Sequence, residues 1–320
     1  MIDAVAHIAG IKLDDYYQNA DACIEVLRKG RPMAREVFGT EAWLPGFSTP
    51  PISYGHIHCL GAGLRFPEDS EPGVRPVYAS IEEGIAGLQK NINFKENELF
   101  KKYLDMYRLL KKEFPGENVS FGFSAEGPVT TAVLLRGQNF YIDLYEKPEK
   151  AKEFLDLVVK SIIGFELSVR DITGGKGYGI ADDFTSLLPP DMWKEFVIPY
   201  WDKLYTAFNV DRRILHVENL TRKHLKNLAA AGISFYNPEV SPKLTPAIIR
   251  EEVDIPFDWE LPAFRLISMS TGEVRQWVEE TVADGVKIIS THVFKAICED
   301  RNVEKIRAFI DTAKKMAAGS

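Results

Sequence analysis

Cysteine is scarce: Cys23, Cys59 and Cys298 are the only three in 320 residues, and no CxxC spacing occurs. That excludes a disulfide framework and makes a reducing compartment the simplest setting. Long apolar runs are missing too. None approaches the roughly 18–20 residues of a membrane helix, and Met1-Ile2-Asp3-Ala4 lacks the basic start of a secretory signal. A cytoplasmic protein away from membranes is expected. Basic charge is also short, with 39 Lys and Arg against 46 Asp and Glu. The net charge of −7 argues against a broad nucleic-acid surface, which needs clustered cations. Finally, no GxGxxG follows any apolar run, which weakens a dinucleotide fold.

What the chain does have is strand–helix alternation. From residue 119, short β-rich runs ending in polar or small residues occupy 119–126, 177–183, 213–218, 233–240, 255–260 and 286–293. Helical stripes lie between them: Phe154, Val158 and Ile162 on one, and Trp193, Val197, Tyr200, Trp201, Leu204 and Phe208 on another. Ser270 and Glu273 have capping-box spacing ahead of Val274, Trp277 and Val278. Alternation on this scale predicts an α/β fold with a parallel sheet, a (β/α)8 TIM barrel whose main part is 116–320. The length, beyond the roughly 250 residues of a bare barrel, leaves room for an N-terminal extension over 1–115. Helices are expected there near 14–29 and 96–114. The segment between them, 31–77, is rich in Pro and Gly, has no period, and reads as a lid or cap. Extension and barrel are expected to pack as one structural domain. The aromatic stripe of 193–208 fits either core packing or a homodimer interface.

In a barrel, the C-terminal strand ends line the active site. Those ends carry Glu126, Asp182, Asp183, His216, Glu218, Glu239, Trp259, Glu260 and His292. Ionisable groups are costly to bury unless they face a polar site, so their accumulation marks one. His216 and Glu218 are two residues apart on one strand and therefore share a face. They can share a zinc ion with bonds of about 2.0–2.2 Å, or form a hydrogen-bonded structural pair. His292 is the best-placed third ligand, and Cys298 in the following loop competes with it. Asp182 and Asp183 point to opposite faces, so one enters the pocket while the other bonds to backbone. Glu126, just before Gly127-Pro128, lies where a pocket carboxylate belongs. Tyr54, Trp259 and Glu260 are candidate substrate contacts, the two aromatics as a wall. His56 and His58 read as part of a polar lid.

Three segments in order carry a resemblance. Phe123-Ser124-Ala125-Glu126-Gly127-Pro128-Val129-Thr130 followed by Leu134-Leu135-Arg136-Gly137 is the first. Asp182-Asp183 with Leu188-Pro189-Pro190-Asp191-Met192-Trp193-Lys194-Glu195-Phe196-Val197-Ile198-Pro199-Tyr200 is the second, and Asn302-Val303-Glu304-Lys305-Ile306-Arg307-Ala308-Phe309 the third. Together they resemble the uroporphyrinogen decarboxylase superfamily over about residues 119–316. The "RQAGRYLPEY" run of true porphyrinogen decarboxylases has no counterpart here, so the methyltransferase branch is the better likeness.

The coenzyme M methyltransferases of that branch, which this chain resembles at 213–218, bind zinc through an HxC pair and a later Cys. This chain has His216 and Glu218 at the pair, and His292 or Cys298 near the later position. Carboxylate and imidazole in place of thiolate leave a harder, more Lewis-acidic zinc, suited to an oxygen ligand such as a methoxy group. The resemblance therefore implies a zinc-dependent methyltransferase. It would move a methyl group from a small methylated donor to a corrinoid carried by a partner protein. Glu126 and Asp182 or Asp183 would orient the donor. Two alternatives stay open: a metal-free lyase that holds a polycarboxylated substrate with Arg136, Arg212 or Arg213, and a barrel that binds a corrinoid or tetrapyrrole without turning it over.

Overall fold

The computed structural model describes residues 1–68, 70–298 and 300–318. Helices dominate. A small antiparallel pair, β1 (Leu64–Arg65) and β2 (Gly73–Val74), lies in the N-terminal part. The rest of the pairing is parallel. Strands β3 (Gly179–Ala181), β4 (Ile214–His216) and β5 (Phe235–Asn237) form one ladder in that order, and β6 (Trp259–Leu261) pairs with β7 (Ile289–Thr291).

Single bridges extend this run at both ends. Segment 48–52 pairs in parallel with 120–123, and Tyr236 of β5 pairs with Phe257 just before β6. Gly127 N donates to Ala181 O at 2.6 Å, joining the 120–127 segment to β3. The parallel segments thus follow one another in sequence order, each beside the next. A doubly wound sheet reverses direction at a switch point. No reversal occurs among the described residues. Nor does a ladder join β7 back to segment 48–52 among them.

Each of the six β-rich runs seats a strand or bridge. Segment 31–77 differs from its reading as lid: it contains a helix, Arg31–Phe38, and the first parallel segment, 48–52. The helix Pro148–Thr173 begins with Pro at its first turn and ends at Gly174 with φ +69, the left-handed closure that Gly tolerates. It buries Phe154, Val158, Ile162 and Phe165. The capping box of Ser270 and Glu273 is formed at the start of Thr271–Ala283. The aromatic stripe of 193–208 is used within the chain: Trp193 and Trp201 are fully buried with ring centres 5.2 Å apart. One connected cluster of buried apolar residues runs from Ala4 to Phe309. No described helix is long and apolar enough to cross a membrane.

Candidate functional site

Because the strands are parallel, their C-terminal ends open on one side, and the acidic and imidazole groups gather there. His216, the last residue of β4, places Nδ1 2.6 Å from Asn237 Oδ1 at the end of β5. Asn237 Nδ2 in turn donates to Asp258 Oδ2 at 2.6 Å. The other ring nitrogen, Nε2, lies 3.4 Å from Asp183 Oδ1 and 3.6 Å from Glu239 Oε2. His292, one residue past β7, sets Nδ1 3.3 Å from Glu239 Oε1 and 3.2 Å from Glu260 Oε1. Glu239 therefore divides its two oxygens between the two imidazoles. It does so from a left-handed backbone, φ +37, uncommon for a residue with a Cβ.

The charges shape each other. Burial draws His216 down, but the hydrogen bond and charge of Asp183, with Asn237 and Glu239, outweigh it and hold the ring up to about 9. Hydrogen bonds to Glu239 and Glu260 hold His292 up to about 10. His292 and His216 keep Glu239 below the usual carboxylate range. Glu218 moves the other way, raised by burial and then by the charges of Glu239 and Asp183. The site is built to hold positive charge.

The two adjacent aspartates separate as strand alternation requires. Asp182 is fully buried and accepts from Thr130 N at 2.6 Å, Trp201 Nε1 at 2.7 Å and Val129 N at 3.4 Å. Its carboxylate thus anchors the first turn of the helix Pro128–Arg136. Asp183 turns to the imidazole side and also accepts from Glu218 N at 2.9 Å. Gly127 makes the Asp182 contact sterically feasible: a Cβ there would lie 2.5 Å from Asp182 Cβ and 2.9 Å from Ala181 O. Gly127→Ala is expected to destabilise the fold by about 1–3 kcal/mol through this overpacking. Urea unfolding would show it as a lower midpoint at unchanged slope; an unchanged midpoint would mean the helix can shift freely.

Glu126, at the mouth of the 120–127 segment, is pushed up to about 8 by burial, and then by the charges of Asp183 and Asp182. A hydrogen bond from Ser53 and the charge of His216 oppose that rise. Tyr54 is half-buried nearby, its hydroxyl raised by burial and then by Glu126, Glu71 and Asp183. It lines a cleft of about 170 Å³ with Ser53, Ile52 and Glu71.

The pair His216 and Glu218 comes together with Glu239, while His292 comes together with Glu239 and Glu260. The ligand atoms of each set lie within 4.8 Å of one another. His292 thus joins His216 only through Glu239. Ligand atoms bonded at about 2.0–2.2 Å around a tetrahedral ion lie roughly 3.3–3.6 Å apart. The imidazole–carboxylate separations of 3.2–3.6 Å match that spacing. The donor set is nitrogen and oxygen throughout, and it fits a zinc ion or another ion that accepts such ligands. Cys298 is in neither set. Its Sγ lies 3.8 Å from Phe294 O, and burial, then the charge of Asp3, push the thiol up to about 11.

The family model for uroporphyrinogen decarboxylase (URO-D) matches residues 1–316. The chain belongs to the URO-D family. Among solved structures, a methyltransferase from Methanosarcina mazei superposes with a TM-score of 0.74 at 16% identity, covering 98% of this chain and 90% of that one. No curated protein matches the sequence. Family membership agrees with the strand order seen here.

Other sequence candidates lie elsewhere. Strand alternation puts Trp259 on the face opposite Glu260, and it packs on the apolar core. His56 is no lid residue: it is fully buried in the short helix Gly55–Cys59, with Nε2 2.8 Å from Ser161 Oγ, and burial takes the ring down to about 3. Arg136 pairs with Asp143 at 2.9 Å. Arg213 bonds Ala231 O at 2.6 Å and Arg212 covers the Phe235 ring, both at the opposite, N-terminal ends of β4 and β5.

Proposed function

We propose that this URO-D family member is a metal-dependent methyltransferase that takes a methyl group from a small methylated donor, a methoxy compound among them, and gives it to a corrinoid carried by a partner protein. The observation that carries the reading is the division of Glu239 between His216 and His292 at the strand ends. In this reading His216, Glu218 and Glu239 hold zinc, with His292 and Glu260 as the neighbouring ligands. Bound there, zinc would act as a Lewis acid toward the donor oxygen and favour its departure as a leaving group.

The protein's own groups supply the rest. Glu126, held protonated near neutral pH by its burial, gives its proton to the departing oxygen. Asp183 steadies the His216 ring, and Tyr54 walls the donor's apolar body. Asp182 acts only by fixing the helix that follows Glu126. The singly wound strand order supports a closed eight-stranded barrel around this site.

The lyase alternative suits the site less well. A polycarboxylated substrate needs cations, and the strand-end cluster presents Asp183, Glu218, Glu239, Asp258 and Glu260 with no Lys or Arg bonded to any of them among the described residues, apart from the two imidazoles. The test is methyl transfer from methoxylated donors to cob(I)alamin, read by visible absorbance, beside zinc analysis of protein purified without chelator. Zinc near one per chain with methylcobalamin formation is expected. Corrinoid binding without turnover on any donor would favour the non-catalytic alternative, and carbon dioxide release from a carboxylated substrate without metal would favour the lyase.

A further inference from the structure

A second cleft lies beside Phe47 and Glu117, just ahead in sequence of the bridged segments 48–52 and 120–123. The helix Ala20–Glu25 passes through a π turn, Val26–Gly30, into the helix Arg31–Phe38. Such turns depart from the 3.6-residue phase and recur at functional positions. This one carries Arg28 and leads directly into Arg31, with Arg35 one helical turn on. All three line a cleft of about 550 Å³ with Phe47, Phe114 and Glu117.

The aromatic floor is built: the Phe47 and Phe114 ring centres are 4.7 Å apart. The Arg31 guanidinium lies 4.5 Å over Phe47, and that of Arg28 5.9 Å over Phe114. Arg28 is also paired with Glu113 at 2.6 Å. Arg31 is different. Its Nη1 is buried with no hydrogen-bond partner, a costly state for a charged donor. Burial and the charge of Arg35 both work against its cation, and Glu117 only partly offsets them. The Arg35 side chain is exposed and bonded to none of the described residues. The Arg31 and Arg35 guanidinium groups, neither with all its donors bonded, therefore line one cleft together with a tilted aromatic pair.

We propose that this cleft binds a small oxyanion, a phosphate or carboxylate group held between Arg31 and Arg35, with the ligand's body against Phe47 and Phe114. Guanidinium forks suit both groups, because each offers paired oxygens in the fork's plane. The site is separate from the strand-end cluster. Phe47 and Glu117 precede segments 48–52 and 120–127, whereas Tyr54 follows the first and Glu126 lies near the end of the second. At about 3.3 Å per residue, the nine steps from Glu117 to Glu126 span at most roughly 30 Å.

The inference stands whether or not the proposed activity does. Titration calorimetry at constant ionic strength, with inorganic phosphate and separately with citrate, tests it. Saturable binding of at least one anion is expected, near one per chain, weakened about tenfold or more in both Arg31→Gln and Arg35→Gln. Arg35 is exposed, so its variant keeps the fold even where Arg31→Gln does not. Phosphate alone would mark a phosphorylated ligand, and citrate alone a carboxylated one. Glu239→Ala, altered at the opposite end, should bind the anion as the wild type does. Binding of neither anion, or binding that survives Arg35→Gln unchanged, overturns the proposal.

Discussion

Glu239→Ala is expected to strip bound zinc from about one per chain to near none and to lower methyl transfer about a hundredfold or more. The size follows from position. Changes in groups that merely support a metal ligand cost about 10–100-fold in affinity or activity, and Glu239 is the residue common to both sets of ligand atoms. Its removal leaves His216 facing Asp183 and His292 facing Glu260, two pairs with nothing between them. Cys298→Ser is the matched control. Its sulfur faces a backbone carbonyl, so full metal content should persist. Thermal unfolding of metal-free protein separates loss of a ligand from loss of the fold. A Glu239→Ala enzyme that kept both zinc and turnover would remove this cluster from the mechanism, whereas a Cys298→Ser enzyme without zinc would move the metal toward the thiol.

Much of that arrangement was legible in the residues, though not its junction. His216 and Glu218 share a face because a strand repeats every two residues, and a local rule of that kind can be read from one segment. Glu239 touches His216 on β4 and His292 past β7, so its role exists only once three separate strands stand side by side. It follows Pro238 in a loop, without any motif to mark it. The aspartate pair is a half-way case: alternation says that Asp182 and Asp183 diverge, but which one faces inward depends on the curvature of the whole sheet. Segment 48–52 was missed for a plain chemical reason. Pro50 and Pro51 lack the N–H that a ladder uses, and they mask the pattern of a strand. His56 misled in the opposite sense, since a polar residue in a Gly- and Pro-rich stretch looks exposed until Phe94 and Phe165 are seen packed beside it.

Glu126→Gln should separate activity from stability. Burial, reinforced by the neighbouring aspartates, places the Glu126 carboxyl at about 8 in the fold against an ordinary value of 4.5. As a proton donor it is loaded below that pH and spent above it, so the wild-type rate should fall along an alkaline limb near pH 8. Glutamine keeps the shape and loses the proton. A drop of about 10²–10³-fold is expected at neutral pH, within the usual worth of general acid catalysis, and the alkaline limb should vanish with it. Stability should move the other way. A carboxyl whose folded value is raised favours the folded state below its unfolded value and loses that contribution as pH climbs toward the folded one. Wild-type stability should therefore decline between about pH 4.5 and 8, by up to about 1.4 kcal/mol per pH unit, while the variant lacks this decline. Above pH 8 the glutamine enzyme should be the more stable of the two in urea. An alkaline limb that persists in Glu126→Gln would assign the titration to another group, and equal stability of the two proteins at pH 9 would mean that Glu126 is ionised in the fold at little cost.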